Sequence, residues 1–121
     1  MAMQINAVNA LQDYLTGVSN RSDHHAQNVE EVISHLLRVV IICHDANSIE
    51  CRTYSGQPTN ILRFSVNGQR YAFRYEHGGG GSIELRANDE RGPVLDSYTN
   101  ASNLQYVINS FRSHCHCSRL P

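Results

Sequence analysis

Cysteine and histidine side chains are the residues of this sequence best suited to hold a metal ion. They cluster near the C-terminus, with a second group in the middle of the chain: His114, Cys115, His116, Cys117, Cys43, His44 and Cys51. Thiolates and imidazoles are ligands of tetrahedral zinc. The spacing argues against a site, because neither Cys-x₂-Cys nor His-x₃-His occurs and neighbouring side chains on a helix or strand point in different directions. We therefore predict no bound metal.

A cysteine beside a histidine can also form a nucleophilic pair when the sulfur meets the ring nitrogen in a cleft. Cys43 and His44 are adjacent in sequence, which does not bring these atoms together, and a Cys43 on a buried helix face would be inert. His44 with Asp45 or Glu50 offers an acid/base pair, but no second element of a catalytic motif accompanies them. We assign no catalytic residue and no cofactor, and an enzyme is the less favoured class.

The glycine run Gly78–Gly81 resembles a phosphate-binding loop in composition only. It precedes a predicted strand and lacks a following Gly-Lys-Ser/Thr, whereas a phosphate loop leads into the N-terminus of a helix. The run is therefore predicted to be a mobile hairpin loop.

The stretch Asn60–Ala87 contains the most regular pattern in the chain. Large apolar residues alternate with polar ones up to Val66, and Asn67-Gly68 then supplies the two positive-φ positions of a type I′ turn. A two-residue turn fixes the register and predicts that Phe64 lies opposite Tyr71. A third alternating run, Ile83–Ala87, continues the meander.

The outer face of this hairpin carries three arginines, which are the best candidates for contacting an anion or a partner. The candidate binding residues are Arg63, Arg70, Arg74, Tyr54 and His44. Solvated strand faces are commonly charged, so an ordinary wet surface is the competing interpretation. The opposite, aromatic face is expected to be core, or to line a cavity for a small apolar ligand beneath the helices.

Three helices are predicted around this sheet. The first spans Ile5–Thr16, and the second begins after a capping Ser22 and continues through Cys43, although Val39–Cys43 is also compatible with a strand. The third follows a capping box formed by Ser102 and Gln105.

The second helix changes character in its last turn. Its outward side carries polar residues up to Arg38, but Ile41 and Ile42 then extend the apolar surface into that polar sector. Either the first helix covers them or a second copy of the chain does, so Ile41 and Ile42 are predicted to form a dimer interface.

Length and composition indicate one domain spanning residues 1–121. The chain has 121 residues and a net charge of −1, so no global field favours nucleic acid, and no apolar run is long enough to cross a membrane. The N-terminus lacks the pattern of a signal peptide, which predicts a cytoplasmic protein with reduced cysteines. Residues 114–121 are predicted to be a flexible tail.

The segment Ser82–Arg86, followed by Gly92–Leu95 and a capped terminal helix, resembles small proteins encoded on bacterial integron gene cassettes. That resemblance implies a bacterial accessory protein of a mobile genetic element. It transfers no catalytic residue, because such proteins share a genetic setting and not one activity.

Together these patterns predict an α+β domain with two N-terminal helices, an antiparallel meander of three to five strands, and a C-terminal helix packed on one sheet face. The favoured function is a non-catalytic binding or protein-interaction module that forms a homodimer, with an unidentified protein or small molecule as a further partner. The alternative is a small-molecule-binding protein or small enzyme that uses a cavity between the sheet and the helices.

Overall fold

The computed structural model describes residues 9–14, 29–54, 57–76 and 81–120, with only the backbone described at 30, 53–54 and 57–60. Residues 9–14 are helical and are called α1. The other helices are α2 (Glu30–Cys43) and α3 (Leu104–His114). The strands are β1 (Glu50–Tyr54), β2 (Gln57–Val66), β3 (Gln69–Glu76), β4 (Ser82–Ala87) and β5 (Val94–Tyr98).

The strands form one antiparallel five-stranded sheet in chain order, β1-β2-β3-β4-β5. Asn67 and Gly68 both have positive φ, 53° and 82°, and the β2–β3 register pairs Phe64 with Tyr71 and Val66 with Gln69. The α+β meander and the hairpin register are thus confirmed. The glycine run of the β3–β4 connection lies outside the described residues except for Gly81.

Aromatic rings fill the space between the inner face of the sheet and α3. Phe73 lies 5.0 Å from Phe64 and 5.9 Å from Phe111, measured between ring centroids, and all three are buried. Rings of this size at these distances bury large apolar areas and leave close-packed interiors. The alternative function expects a ligand cavity between the sheet and the helices. The described part of this layer is instead packed core.

Helix α2 continues to Cys43, so the strand interpretation of Val39–Cys43 is wrong. Short β-branched runs fit either structure, and here the helical stripe from Val32 to Val40 is buried and decides the outcome. The predicted Ser22 cap lies outside the described residues. In the structure, the side-chain oxygen of Asn100 accepts hydrogen bonds from the amides of Glu31 and Val32 at 2.9 and 3.0 Å, so a distant loop caps this helix.

Helix α3 has a different cap from the one predicted. Its N-cap is Asn103, whose side chain accepts a hydrogen bond from the amide of Tyr106 at 2.8 Å. Ser102 instead accepts from the amide of Thr99, so it stabilises the preceding turn. Asparagine and serine are equally good caps, and sequence spacing alone does not choose between neighbours. None of the described helices is long and apolar enough to cross a membrane.

Candidate functional site

The β4–β5 connection folds across the outer face of the sheet and covers part of the predicted arginine surface. Residues 88–93 form this strap. Within it, Glu90 is buried and accepts hydrogen bonds from Arg63 at 2.9 Å and 2.8 Å, one on each carboxylate oxygen. Ala72, which lies on the outer face between Arg63 and Arg86 in the register, is 0% exposed. The expectation of a wet arginine face is therefore wrong at Arg63, because the strap supplies its counter-ion.

This partly buried ion pair lowers the pKa of its acidic member. The hydrogen bonds and charge of Arg63 lower the pKa of Glu90 to about 2, although burial acts in the opposite direction. Glu90 reciprocally raises the pKa of Arg63. Two-point pairing of a guanidinium with a carboxylate is stronger than a single contact and fixes both planes. Arg63 therefore serves to hold the strap in place.

The other two arginines of this face have different surroundings. Arg74 contacts Glu76 at 2.9 Å and donates weakly to the carbonyl of Glu90 at 3.5 Å. Arg70 is exposed and makes no side-chain ion pair among the described residues. The structure thus places Arg63, Arg70 and Arg74 on one face, as predicted. Of the three, only Arg70 has a guanidinium without an ion pair among the described residues.

Arg70 borders a surface cleft of about 400 Å³ at the corner where β1, β2 and β3 meet the α2–β1 loop. The lining residues are Asp45, Ala46, Asn47, Ser48, Glu50, Ser65, Gly68 and Arg70. This volume falls in the range of small-molecule sites, and the lining is polar. It is the described cavity that best fits a binding role for one of the predicted residues.

Of the remaining predicted binding residues, His44 does not line this cleft. His44 is buried and ends α2, with its Nδ1 donating to the carbonyl oxygens of Val40 at 2.9 Å and Ile41 at 3.0 Å. It therefore satisfies backbone acceptors that the helix end would leave open. Tyr54 ends β1, and its side chain lies outside the described residues.

The last turn of α2 exposes an apolar patch consisting of Ile41 and Ile42, which are 43% and 38% exposed. The rest of the outward side of this helix is polar, with Glu31, Ser34 and Arg38 exposed. Within the described structure nothing buries these two isoleucines, so the sequence expectation that something covers them stays a prediction.

A polar network joins β5 to α3, and sequence reasoning missed it. The carboxylate of Asp96 accepts hydrogen bonds from the hydroxyls of Tyr106 at 2.8 Å and Ser110 at 2.6 Å. Ser110 also lies 2.6 Å from the hydroxyl of Tyr98, and His114 Nε2 is 3.9 Å from Asp96. Aspartate, serine and histidine are thus close together, but the serine donates its proton directly to the aspartate. A catalytic triad would place histidine between them, so this arrangement instead fastens the helix to the strand.

The protonation of the tyrosines agrees with that structural role. Burial raises the pKa of Tyr98, and the hydrogen bond to Asp96 raises the pKa of Tyr106. Both hydroxyls therefore keep their protons near neutral pH and remain hydrogen-bond donors. The only sequence signal for this network was the i, i+4 spacing of Tyr106 and Ser110 on one side of a helix that faces an aspartate.

The cysteines provide a second correction. Cys43 and Cys117 form a disulfide, with their Cα atoms 5.8 Å apart, whereas all four cysteines were expected to be reduced. Cys51 and Cys115 are not part of a disulfide. Cys115 packs in the core, where burial raises the pKa of its thiol to about 12, so it is a weak nucleophile. The bridge joins residues 74 apart in sequence, a separation that local patterns do not report.

The segment after α3, predicted as a flexible tail, makes contacts with the body of the protein. The side-chain amide of Asn67 donates to the carbonyl of His116 at 3.0 Å, and Arg119 donates to the carbonyl of His44 at 3.2 Å. Leu120 is buried. These contacts and the disulfide fix the path of the segment, which gives the tail interpretation no support.

The cysteines and histidines considered as possible metal ligands are dispersed by this arrangement. Cys117 is bonded to Cys43, Cys115 faces the core, and His114 lies beside Asp96. Within the described ranges, no three histidine, cysteine or acidic side chains converge as a metal-binding group. Absence of a bound metal in the protein remains a prediction.

Fold and site together define a small α+β protein in which an antiparallel meander carries helices on its inner face and a loop strap on its outer face. A protein-family model described as "Integron cassette protein VCH_CASS1 chain" matches residues 11–108. The chain belongs to this family, which confirms the resemblance noted from the sequence. No curated protein matches the chain.

Proposed function

We propose that the protein is a non-catalytic interaction protein that associates with a second copy of itself through the last turn of α2. The observation that carries this proposal is the exposure of Ile41 and Ile42 at 43% and 38% on an otherwise polar helix surface. Burying an isoleucine side chain contributes about 1.5–3 kcal/mol, so a paired patch gains on association. A symmetric dimer buries the same patch on both copies.

The charges beside the patch favour a second copy as the occupant. When two α2 helices meet antiparallel about the midpoint between Ile41 and Ile42, Arg38 of one copy lies beside the C-terminal end of the other helix, where Asp45 follows two residues after the helix ends at Cys43. Arg38 is exposed and makes no ion pair with another described residue, while Asp45 is partly exposed in the loop that follows the helix. The two-fold contact therefore has an apolar centre with an Arg38–Asp45 ion pair on each side.

A binding role is also supported by how potential catalytic groups are used. Ser110 donates to Asp96, the Nδ1 of His44 is bonded to backbone carbonyls, and Cys43 is in a disulfide. Each of these groups already performs a structural task. A reactive nucleophile would need an adjacent base and open access to a substrate.

The test is Ile42→Glu, which places a charge at the centre of the proposed contact. We expect a folded monomer, because Ile42 is exposed within one copy and its replacement leaves the core intact. Val94→Glu is the matched control, since Val94 is also an exposed apolar residue, 47% exposed, but lies on β5. Sedimentation velocity should show dissociation for the first variant and not for the second. Equal effects of both variants, or loss of the folded circular dichroism spectrum in Ile42→Glu, would count against the proposal.

A further inference from the structure

The cleft beside Arg70 presents opposite charges at its two ends. Arg70 of β3 lies across from Ser65 of β2 in the register, and Glu50 of β1 pairs with position 63 of β2. The two charged residues are therefore two strands apart on one sheet face, with Ser65 between them. Both line the same cavity of about 400 Å³.

Both charges remain available to a ligand. Arg70 is exposed and makes no side-chain ion pair in the part of the chain that the structure describes. The side chain of Glu50 is 55% exposed and meets Arg63 only at 3.5 Å, because Arg63 directs its two short hydrogen bonds to Glu90. Glu50 thus contributes a negative charge that its neighbour neutralises incompletely.

The walls of the cleft are held in place by the protein itself. Both carboxylate oxygens of Asp45 accept hydrogen bonds from the β2–β3 turn, from the amide of Asn67 at 2.9 Å and that of Gly68 at 2.8 Å. The amide of Asp45 donates to the carbonyl of Ser65 at 2.7 Å, and Asn47 has a φ of 63°. These contacts fix the α2–β1 loop against the hairpin. A site that is formed in advance loses less free energy on binding.

The backbone of Arg70, on the opposite side of the cleft, is also held in place. The carbonyl of Arg70 accepts a hydrogen bond from the amide of Asn88 at 2.8 Å, so the start of the strap holds the backbone of this arginine. Only the side chain of Arg70 is left to move. A guanidinium on a fixed backbone can pair with a carboxylate through two parallel hydrogen bonds.

We infer that this cleft binds a small zwitterion, with the ligand carboxylate on Arg70 and the ligand ammonium group on Glu50. The charges two strands apart, roughly 10 Å between strand axes, favour a ligand whose charged groups are separated, as in a dipeptide, over one in which they share a carbon. The hydroxyl groups of Ser48 and Ser65, which line the cleft, offer polar contacts for the segment between them. This inference does not rest on the proposed dimer, although Asp45 both lines the cleft and lies beside the proposed contact.

The experiment is a titration of the ¹⁵N-labelled protein with glycylglycine, followed by amide chemical shifts. We expect saturable shifts at Ser48, Ser65 and Arg70, and roughly tenfold weaker binding in Arg70→Gln and in Glu50→Gln, since each variant loses one charge-assisted contact. Arg112→Gln is the matched control, because it removes an exposed arginine from α3, on the opposite side of the sheet from the cleft, and should leave the titration unchanged.

Three simpler probes separate the outcomes. Glycine should bind more weakly than glycylglycine, and acetate and ethylamine, which each carry one charge, should bind roughly tenfold more weakly than the dipeptide. Equal binding of acetate and glycylglycine would overturn the inference in favour of a simple anion site. Absence of saturable shifts at the cleft, or an unchanged titration in Arg70→Gln, would also overturn it.

Discussion

Arg63 and Glu90 form a partly buried, two-point ion pair that joins strand β2 to the β4–β5 connection across the intervening strands β3 and β4. The contact converts an arginine on a sheet face from a candidate ligand into an anchor for the strap. It also gives the protein a carboxylate whose protonation is coupled to folding.

The coupling predicts a loss of stability in acid. Glu90 has a pKa of about 2 in the folded protein against an ordinary value of 4.5, so the folded state favours the charged form. The stabilisation is fully present above the unfolded pKa and is lost as the pH falls from about 4.5 toward 2. Its full size is on the order of 3 kcal/mol. Urea unfolding between neutral pH and pH of about 3 should show a flatter profile in Glu90→Gln than in the wild type.

The control for this measurement is Glu31→Gln, which removes an exposed carboxylate from α2. Its profile should follow that of the wild type. If Glu90→Gln loses as much stability in acid as the wild type does, protonation of Glu90 is not coupled to folding.

The strap also depends on a glycine. A Cβ atom at Gly92 would lie 1.7 Å from the backbone carbonyl oxygen of Ala87, and a backbone atom cannot rotate out of the way. Gly92→Ala should therefore displace the strap and cost on the order of 2 kcal/mol or more in thermal or urea unfolding. Gly68→Ala is the comparison, because its Cβ would meet nothing within 4 Å and only its φ of +82° is unfavourable. A smaller loss for Gly92→Ala than for Gly68→Ala would contradict this geometry.

The disulfide makes a prediction about thiols. All four cysteines of the chain are described, and two of them are bonded, so denatured, unreduced protein should react with two equivalents of a thiol reagent. Closing a loop of 74 residues stabilises a protein by about 4 kcal/mol in the chain-entropy model. The double variant Cys43→Ser/Cys117→Ser should lose stability of that order, whereas Cys51→Ser should not. Four reactive thiols in the unreduced protein would refute the bridge.

Local chemistry explains which parts of the fold were predictable from the sequence. The Asn67-Gly68 turn sets the β2–β3 register by itself, because both residues must adopt positive φ and a two-residue loop allows one alignment. The apolar stripe of α3 likewise reports its buried side, on which Val107 and Phe111 are fully buried. Such features depend on residues close together in sequence.

The features that were missed depend on residues far apart in sequence. Asn100 lies 69 residues from the α2 amide that it caps, and Glu90 lies 27 residues from Arg63. Both separations are longer than the stretch of sequence over which a periodic pattern extends. One signal for the strap was present, since the small side chain of Ala72 leaves room on an outer face that carries three arginines. A small residue there permits a loop to approach the sheet, but it does not identify which loop.

The candidate site was predictable only in part for the same reason. Alternation placed Arg70 on the outer face, yet the cleft beside it requires the α2–β1 loop, which Asp45 holds against the hairpin turn. His44 was chosen for its chemistry, and the structure uses it to end a helix. A titratable side chain at a helix terminus often has that role, because terminal carbonyls need donors.

The molar mass in solution shows whether the last turn of α2 pairs two copies of the chain. Multi-angle light scattering on the wild-type protein, at loading concentrations of tens of micromolar, should give twice the chain mass of 13.6 kDa. Ile42→Glu should give the single chain mass with an unchanged circular dichroism spectrum. A wild-type mass of one chain across this concentration range would rule out this pairing and leave Ile41 and Ile42 as an exposed surface without a partner copy.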